Sequence, residues 1–358
     1  MRGNILIFTP ELSCTGTPES VANMARVIKK MGFGVTVYTL NNGSKMREIE
    51  NIRVKIVCVN MNELMSERQH IRLQFDMSIV NTSMMAKYAV ILQEMLPTIL
   101  IIREAASILE FQEIFGTSTL DLYRVHNLFC VSEYAQEAIY EKTGLRPKVL
   151  YNYVPDYYVK GDVYHQICHK KNIEFGILGT IEERKGIDIC IESFIELQKE
   201  YKNCKLNIIG RTLEWQSEYW KPLLDIVNKH ENIMYHGEIV NKKEMLEVYR
   251  NLDIVIVASR DESCSLVVLE AAMMGKAIIV SENVGAKYLV HRNGFIFKTN
   301  DKKSLLFGMK KMIRKQCLLP IKGKLSRYYY KKMASEKKYS KELRKIIERY
   351  IGSKENDY

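Results

Sequence analysis

The stretch from Asp253 to Val280 reads DIVIVASRDESCSLVVLEAAMMGKAIIV, and its pattern decides the fold. An apolar run at residues 253–258 has the composition of a buried strand, and a second run follows at residues 277–280. Between the two runs, the pattern predicts a helix over residues 266–274 that ends at Gly275. A strand, a helix and a second strand in this order are typical of a parallel sheet with crossover helices.

Two carboxylates stand where such a sheet places the ends of its strands. Glu262 follows the first strand, Ser265 is predicted to cap the helix, and Glu270 lies about one turn into it. Amides of the first helical turn can bind a diphosphate, and Glu270 can accept two hydrogen bonds from a ribose diol. Glu262 can then reach hydroxyl groups of an attached sugar, so the arrangement suits a nucleotide sugar.

The same alternation of strand-like and helical patterns continues along the whole chain. The predicted strands lie near residues 4–8, 35–40, 54–59, 78–81, 99–103, 128–131 and 149–151, and then near 173–179, 205–210, 233–235, 253–258, 277–280 and 295–297. At 358 residues the chain exceeds what one hydrophobic core usually supports. We therefore expect an α/β protein with two facing, doubly wound, Rossmann-like domains.

The seam between the domains is predicted within residues 152–170, where Pro155 ends the alternating pattern. The expected domains are residues 1–155 and 156–327. Residues 328–358 are predicted to form a helix that crosses back to the first domain, because their apolar residues are too few for a separate core.

Composition points to a cytoplasmic protein. The apolar stretch 77–102 is interrupted by polar residues and a proline, and the run Ile5–Phe8 is too short for a signal peptide. The 8 cysteines form no Cys-x-x-Cys pair. His165, Cys168 and His169 resemble half of a zinc site, but no second pair follows in order, so we expect no metal ion.

The net charge of +11 raises the question of a nucleic-acid partner. Basic residues are spread along the chain and no stacking-aromatic or helix-turn-helix signature accompanies them, so no nucleic acid is expected. An anionic membrane surface or a phosphate-bearing substrate fits at least as well. A solvated helix face is the alternative for residues 337–349. The basic residues are densest at Lys310, Lys311, Arg314, Lys315, Lys322, Lys324, Arg327, Lys331 and Lys332.

The first domain offers a weaker signal in the small-residue loop 10–16, which follows the first predicted strand. Thr17 is predicted to cap a helix, Pro18 suits its first position, and Gly32 ends it. A ligand can approach the backbone of such a loop closely. The loop alone fits a tight turn equally well.

These residues together resemble family 4 glycosyltransferases of the GT-B architecture, over nearly the whole chain. Three places in the second domain carry the resemblance: GTIEERKG at residues 179–186, the strand that ends at Ile209-Gly210, and residues 262–270, with Gly275, Gly285 and Asn293-Gly294 after them. Weaker matches lie at residues 15–18 and 131–133.

The resemblance implies a retaining, metal-independent hexosyltransferase without a cofactor. Its donor would be a nucleoside diphosphate sugar, with a UDP-sugar favoured, and its acceptor a glycan or a lipid-linked glycan in polysaccharide or glycolipid biosynthesis. The enzyme would be cytoplasmic or peripheral at the inner membrane face. The residues implied in catalysis are Glu262, Lys185, Arg103 and Glu104. Those implied in substrate binding are Gly16, Thr17, Thr180, Arg184, Lys185, Arg211, Ile239, Ser263, Cys264, Ser265, Leu266 and Glu270.

Within this set, Lys185 would contact the donor diphosphate, although its spacing alone favours a solvated turn. Arg211 and Ile239 would border the base, and the acceptor would dock near Gly16, Thr17, Arg103 and Glu104.

Two positions depart from the family pattern. Thr180 stands where many members have an arginine, which leaves Arg184 as the nearest second cation. Arg103 and Glu104 stand where members often have a histidine. These departures fit either an altered sugar preference or a catalytically silent, GT-B-like subunit that binds a nucleotide sugar.

Overall fold

The computed structural model describes residues 3–13, 16–108, 118–159 and 172–352. The predicted half zinc site at residues 165–169 lies outside these residues. The chain forms two compact units, of which the first contains Met1–Pro155 with Glu336–Tyr358 and the second contains Asp156–Ser335. Among the described residues, no helix has the length and apolar character needed to cross a membrane.

The first unit is built on a parallel sheet of seven strands in the order β3-β2-β1-β4-β5-β6-β7. Its strands are β1 (Asn4–Glu11), β2 (Gly34–Asn41), β3 (Lys55–Cys58), β4 (Met77–Asn81), β5 (Thr98–Ile102), β6 (Leu128–Cys130) and β7 (Lys148–Val149). Its central strands β4 and β5 are buried along their whole length, which explains their nearly continuous apolar sequences.

Helices connect these strands. They are α1 (Gly16–Lys30), α2 (Met46–Asn51), α3 (Met61–Ser66), α4 (Arg68–Gln74), α5 (Ala86–Gln93), α6 (Thr119–Arg124) and α7 (Glu133–Thr143). The predicted cap at Thr17 is wrong by a residue or two, because α1 already begins at Gly16 and Thr17 lies in its first turn. Ser132 does cap α7, since its side chain accepts a hydrogen bond from the Ala135 amide at 3.0 Å.

The second unit contains a parallel sheet of six strands in the order β10-β9-β8-β11-β12-β13. The strands are β8 (Ile173–Leu178), β9 (Cys204–Ile209), β10 (Ile233–Tyr235), β11 (Ile254–Val257), β12 (Ala277–Ser281) and β13 (Gly294–Phe297). The helices are α8 (Ile187–Glu200), α9 (Ser217–Asn228), α10 (Lys242–Asn251), α11 (Leu266–Met273), α12 (Lys302–Arg314) and α13 (Leu319–Tyr329). The prediction of two parallel α/β sheets is thus confirmed.

A last helix, α14 (Glu336–Gly352), belongs to the first unit. Leu343 and Ile347 are fully buried there, and the Tyr339 ring packs against Tyr153 with a centroid distance of 4.8 Å. The return segment begins at residue 336, whereas the sequence suggested 328. Residues 328–335 remain in the second unit because residues 330–334 pack against α11.

Candidate active site

The strand order of the second sheet reverses between β8 and β11, which are hydrogen-bonded neighbours. β9 and β10 extend the sheet on one side of this point, and β12 and β13 extend it on the other. A crevice opens outside the carboxyl ends of parallel strands at such a point, and it is the usual ligand site of doubly wound sheets. The loops after β8 and β11 therefore border the candidate site.

Glycines bring these two loops together. Gly186 has φ +66°, and a Cβ atom there would lie 2.3 Å from the Ala258 carbonyl oxygen, so any side chain would clash with the end of β11. Gly179 has φ +135°, which L side chains rarely adopt. The side chain of Lys185 lies over it, with Cε 3.8 Å from where a Cβ would be. The loop after β8 is thereby bent toward Glu262.

Glu262, Lys185 and Arg184 form one charged cluster. The Lys185 ammonium donates a hydrogen bond to Glu262 Oε2, and Arg184 Nη1 donates to the same oxygen at 3.0 Å. Arg184 also donates to the Asp261 carbonyl oxygen at 2.9 Å and to Glu182 Oε1 at 2.7 Å. Burial acts to raise the pKa of Glu262, but the charges of Lys185 and Arg184 outweigh it and lower that pKa to about 2. Glu262 is therefore ionised at neutral pH.

The backbone of Glu262 is fixed by the loop that follows β12. Its amide donates to the Asn283 carbonyl oxygen at 3.1 Å, and its carbonyl oxygen accepts from the Gly285 amide at 2.7 Å. The glycine at 285, one of the matching positions in the sequence, thus helps to place the carboxylate.

A second ion pair, which was not predicted from the sequence, joins the start of α8 to the loop after β11. Arg260 contacts Asp188 through two hydrogen bonds of 2.6 and 3.1 Å, and the Arg260 amide donates to the Arg184 carbonyl oxygen at 2.8 Å. The Tyr219 hydroxyl donates to Asp188 at 2.9 Å. Burial acts to raise the pKa of Asp188, but the hydrogen bonds and charge of Arg260 have the larger effect and lower that pKa. Asp188 is therefore ionised and forms an ion pair with Arg260. Arg260 follows the predicted strand 253–258, whereas Asp188 lies in the first turn of α8, just after Gly186.

Glu270 is oriented by two residues that the sequence also did not single out. Its Oε1 accepts from the Lys242 ammonium at 3.1 Å, and its Oε2 accepts from the Tyr249 hydroxyl at 2.8 Å. Tyr249 is buried, and burial together with Glu270 raises the pKa of its hydroxyl well above the usual value. Each carboxylate oxygen can accept a further hydrogen bond, so the orientation is compatible with binding a diol.

The first turn of α11 faces this edge of the sheet. Ser265 occupies the predicted cap position with extended backbone, although its side chain makes no capping hydrogen bond. The first amides of a helix have no partner within the helix, and here the cap side chain does not take one of them. Ser263 and Cys264 lie in the loop before it, and Leu266 is its first residue.

The remaining predicted residues of the second unit lie along the same edge. Thr180 follows Gly179 and is half-buried. Arg211 follows β9, and its carbonyl oxygen accepts from the Ile181 amide at 2.8 Å. Ile239 follows β10, whose end is tied to that of β9 by a 2.9 Å hydrogen bond from the Gly210 amide to the Gly237 carbonyl oxygen.

The predicted residues of the first unit follow β1 and β5. Gly16 is exposed and Thr17 half-buried at the start of α1. Arg103 donates from Nε to Asn81 Oδ1 at 2.8 Å and from Nη1 to Asn152 Oδ1 at 2.5 Å. The adjacent Glu104 is buried and accepts from the Ser83 amide at 3.0 Å. The same Glu104 oxygen also accepts from the Arg103 amide at 3.1 Å, so the Glu104 carboxylate contacts the backbone of Arg103.

Comparison with known proteins shows that most of the second unit matches a known family. Residues 172–315 match the family model described as glycosyl transferases group 1. The chain is 28% identical over 186 residues to an uncharacterized glycosyltransferase of Methanocaldococcus jannaschii, covering 51% of this chain and 47% of the relative. It is 30% identical over 119 residues to the lipopolysaccharide 1,2-N-acetylglucosaminetransferase of Salmonella typhimurium, covering 31% of each. The chain therefore spans about half or less of these relatives.

Solved structures resemble the fold over almost the whole chain. HepE from Anabaena in complex with UDP has a TM-score of 0.81 at 15% identity, covering 97% of this chain and 100% of that one. WaaG, a glycosyltransferase involved in lipopolysaccharide biosynthesis, has a TM-score of 0.68 at 13% identity, covering 91% and 95%. At such identities the likeness shows the fold alone, which is that of GT-B glycosyltransferases.

Proposed function

We propose that the protein is a retaining glycosyltransferase that moves a sugar from a nucleoside diphosphate sugar to an acceptor hydroxyl. The observation that carries the proposal is the convergence of Lys185 and Arg184 on Glu262 at the crevice between β8 and β11. The cluster lies in the part of the chain that matches the glycosyl transferases group 1 model.

The leaving diphosphate gains negative charge as the glycosidic bond breaks. Lys185 and Arg184 are held in position before the reaction, and preorganised cations stabilise such charge with little reorganisation. Amides at the start of α11 would add to this. We propose a same-face substitution, in which a leaving phosphate oxygen takes the proton of the acceptor hydroxyl.

The carboxylates would orient the donor. Glu262 already neutralises part of the charge on Lys185 and Arg184, so it keeps both side chains in place while it accepts hydrogen bonds from sugar hydroxyls. Glu270 would bind the ribose, and Arg211 and Ile239 would border the base. A UDP-sugar is the favoured donor, and the UDP complex of the fold neighbour HepE supports this choice.

The proposed reaction needs no divalent metal. Transferases that use a metal hold it with closely spaced aspartates, and the sequence contains no Asp-x-Asp. We therefore assign the countercharge to Lys185, Arg184 and the helix amides.

The acceptor is proposed to be a glycan or lipid-linked glycan assembled at the cytosolic face of a membrane. The similarity to a lipopolysaccharide acetylglucosaminetransferase supports this class. Gly16, Thr17, Arg103 and Glu104 would receive the acceptor in the first unit.

Substitution of Lys185 tests the proposal. Transfer and hydrolysis are measured over a panel of nucleotide sugars. Lys185→Ala should lower kcat by on the order of a hundredfold, with a smaller rise in the apparent donor constant, because the lost interaction strengthens in the transition state. Lys199→Ala is the control, since Lys199 is exposed and its ion pair within the described part of the chain is with its helix neighbour Glu196 at 2.6 Å.

Equal effects of the two substitutions would contradict the assignment of Lys185. Wild-type turnover should persist in excess chelator, and its loss there with recovery on adding magnesium or manganese would refute the metal-independent mechanism. Product with inverted anomeric configuration would refute retention. Donor binding without any turnover by the wild type would favour the silent subunit.

A further inference from the structure

One segment carries the entire net charge of the protein. Residues 302–335 contain 11 lysines and arginines and no aspartate or glutamate, while the rest of the chain contains 42 basic and 42 acidic residues. The segment includes α12 and α13, which lie on the second unit. The positive charge is therefore concentrated in one part of the fold.

Several of these cations are neutralised by residues outside the segment. Lys302 pairs with Glu192, Lys310 pairs with Glu200, and Arg327 contacts both oxygens of Asp156 at 2.8 Å. These three pairs reduce the charge that is available to a partner.

Three lysines of the segment lie together without such neutralisation. Among the described residues, Lys311, Lys315 and Lys322 have no carboxylate within ion-pair distance. Lys322 donates to the carbonyl oxygen of Arg292 at 2.8 Å. Its burial and then the charges of Lys311 and Lys315 lower the pKa of Lys322. The three ammonium groups therefore repel one another, and an anion placed among them would relieve this repulsion.

Exposed apolar side chains lie among the same lysines. Phe307, Lys311 and Lys315 follow one another at intervals of four residues, which places them on one side of α12 and its end. Phe307 is 57% exposed and Ile321 is 54% exposed, with Leu318 also exposed between Lys315 and Lys322. The Lys311 ammonium lies 5.2 Å from the ring centre of Phe295, which packs against Phe307 at 5.7 Å.

This combination distinguishes between classes of anionic partner. A soluble polyanion would be bound by the lysines alone and would leave the apolar side chains in water. The headgroup region of a bilayer offers phosphates to lysines and acyl chains to aromatic and aliphatic side chains at once. Charge and apolar contact are also the two signals that together give stable peripheral attachment.

We propose that the basic-apolar surface, defined as Phe307, Lys311, Lys315, Leu318, Ile321 and Lys322, docks on an anionic lipid bilayer. The lysines contact lipid phosphates, and the apolar side chains insert between headgroups. This attachment does not depend on the donor site or on the transfer reaction. It would hold the second unit at the surface where a membrane-bound acceptor is found.

The test is co-sedimentation of the full chain with vesicles of phosphatidylcholine, either alone or mixed with phosphatidylglycerol. The triple variant Lys311→Gln, Lys315→Gln, Lys322→Gln should lose affinity for the mixed vesicles by on the order of a hundredfold, because each lysine near an anionic surface contributes about fivefold and the three factors multiply. The control Lys229→Gln, Lys337→Gln, Lys341→Gln removes the same charge from exposed lysines elsewhere and should lose far less. Raising the salt concentration should weaken wild-type binding steeply.

Apolar insertion is tested separately with Ile321→Ser and with Phe307→Ser, which leave the charge unchanged. Each substitution should weaken binding to mixed vesicles several-fold while leaving binding to soluble polyphosphate unchanged. An unfolding temperature close to that of the wild type shows that each variant keeps its fold. Equal wild-type binding to neutral and mixed vesicles would overturn the proposal. So would equal losses in the two triple variants. Unchanged vesicle binding by both serine variants would show that the apolar side chains do not insert into the bilayer, and it would overturn the proposal too.

Discussion

Glu262 is the residue on which the two cations of the candidate site converge. Its folded-state pKa of about 2 lies below the ordinary value of 4.5, because Lys185 and Arg184 favour the ionised carboxylate. A carboxyl group whose pKa is lowered by folding adds stability at pH values above its ordinary pKa. This contribution is lost as the pH falls through its folded-state pKa. Wild-type stability should therefore fall between pH 4.5 and about 2 by an amount on the order of 3 kcal/mol that is specific to Glu262.

Urea unfolding of the wild type and of Glu262→Gln over this pH range measures that contribution. The glutamine leaves two cations unpaired, so the variant should be the less stable protein at neutral pH. The difference between the two proteins should shrink as the pH falls from 4.5 to 2. A difference that does not change with pH would mean that Glu262 does not titrate in the cluster.

At the level of single residues, the sequence predicted which side chains stand at strand ends but not what each one contacts. Glu262 is predicted from the strand-loop-helix pattern and Lys185 from the resemblance to family 4 glycosyltransferases, and the parallel sheet brings their loops together. The partners of Glu270, which are Lys242 and Tyr249, come from a helix that no motif marked. Such contacts depend on tertiary packing across many residues of sequence, and local patterns do not record them.

The turn Glu183–Lys185, which carries both cations, depends on its attachment to the loop after β11. Asp188→Asn removes the charge that Arg260 pairs with but keeps the side-chain shape. The lost charged hydrogen bond should cost about 2 kcal/mol of stability. It should also raise the apparent donor constant, because Arg184 and Lys185 lose part of their anchorage. Thermal unfolding and donor titration measure the two effects.

Glu247→Gln is the matched control for this substitution. It removes a carboxylate from the exposed pair of Glu247 and Arg250, whose oxygen and nitrogen lie 3.0 Å apart. Exposed pairs of this kind contribute little, so stability and donor binding should stay near wild type. If Asp188→Asn behaves like this control, the ion pair does not position the turn.

Elements were predicted more reliably than their ends. The strands of both sheets follow from apolar runs, because a parallel strand is buried on both faces. The start of α1 at Gly16 and the missing side-chain cap at Ser265 were not predicted. Several residue types satisfy the same terminal amides, so a local pattern fixes a helix end only to within a residue or two.

At the scale of the whole molecule, the first unit is completed by a helix that follows the second unit in sequence. Leu343 is fully buried where α14 packs on the first unit. Leu343→Ala should therefore lower the stability of that unit by about 2–5 kcal/mol through the cavity it leaves. Urea unfolding gives the loss, and limited proteolysis should show faster cleavage within residues 1–155 than in the wild type.

Lys341→Ala, two residues earlier on the exposed side of the same helix, serves as the control and should change neither measurement. Faster cleavage confined to residues 172–335 would contradict the assignment of α14 to the first unit.

The two-sheet architecture itself is predictable because chain length and the repeated strand-helix pattern both require it. The position of α14 is less predictable, because its sparse apolar residues show only that the helix must pack against another part of the protein.

The position of α14 has a consequence for biosynthesis. The ribosome synthesises residues 1–155 first, but the helix whose Leu343 and Ile347 are buried in the folded first unit emerges only after residues 156–335 have been made. Domains that lie wholly upstream usually fold first during translation, whereas here the contiguous second unit can finish before the first. During that interval the nascent first unit exposes the apolar surface that α14 will cover. That surface is where a holding chaperone would act, until α14 has left the ribosome and packed on it.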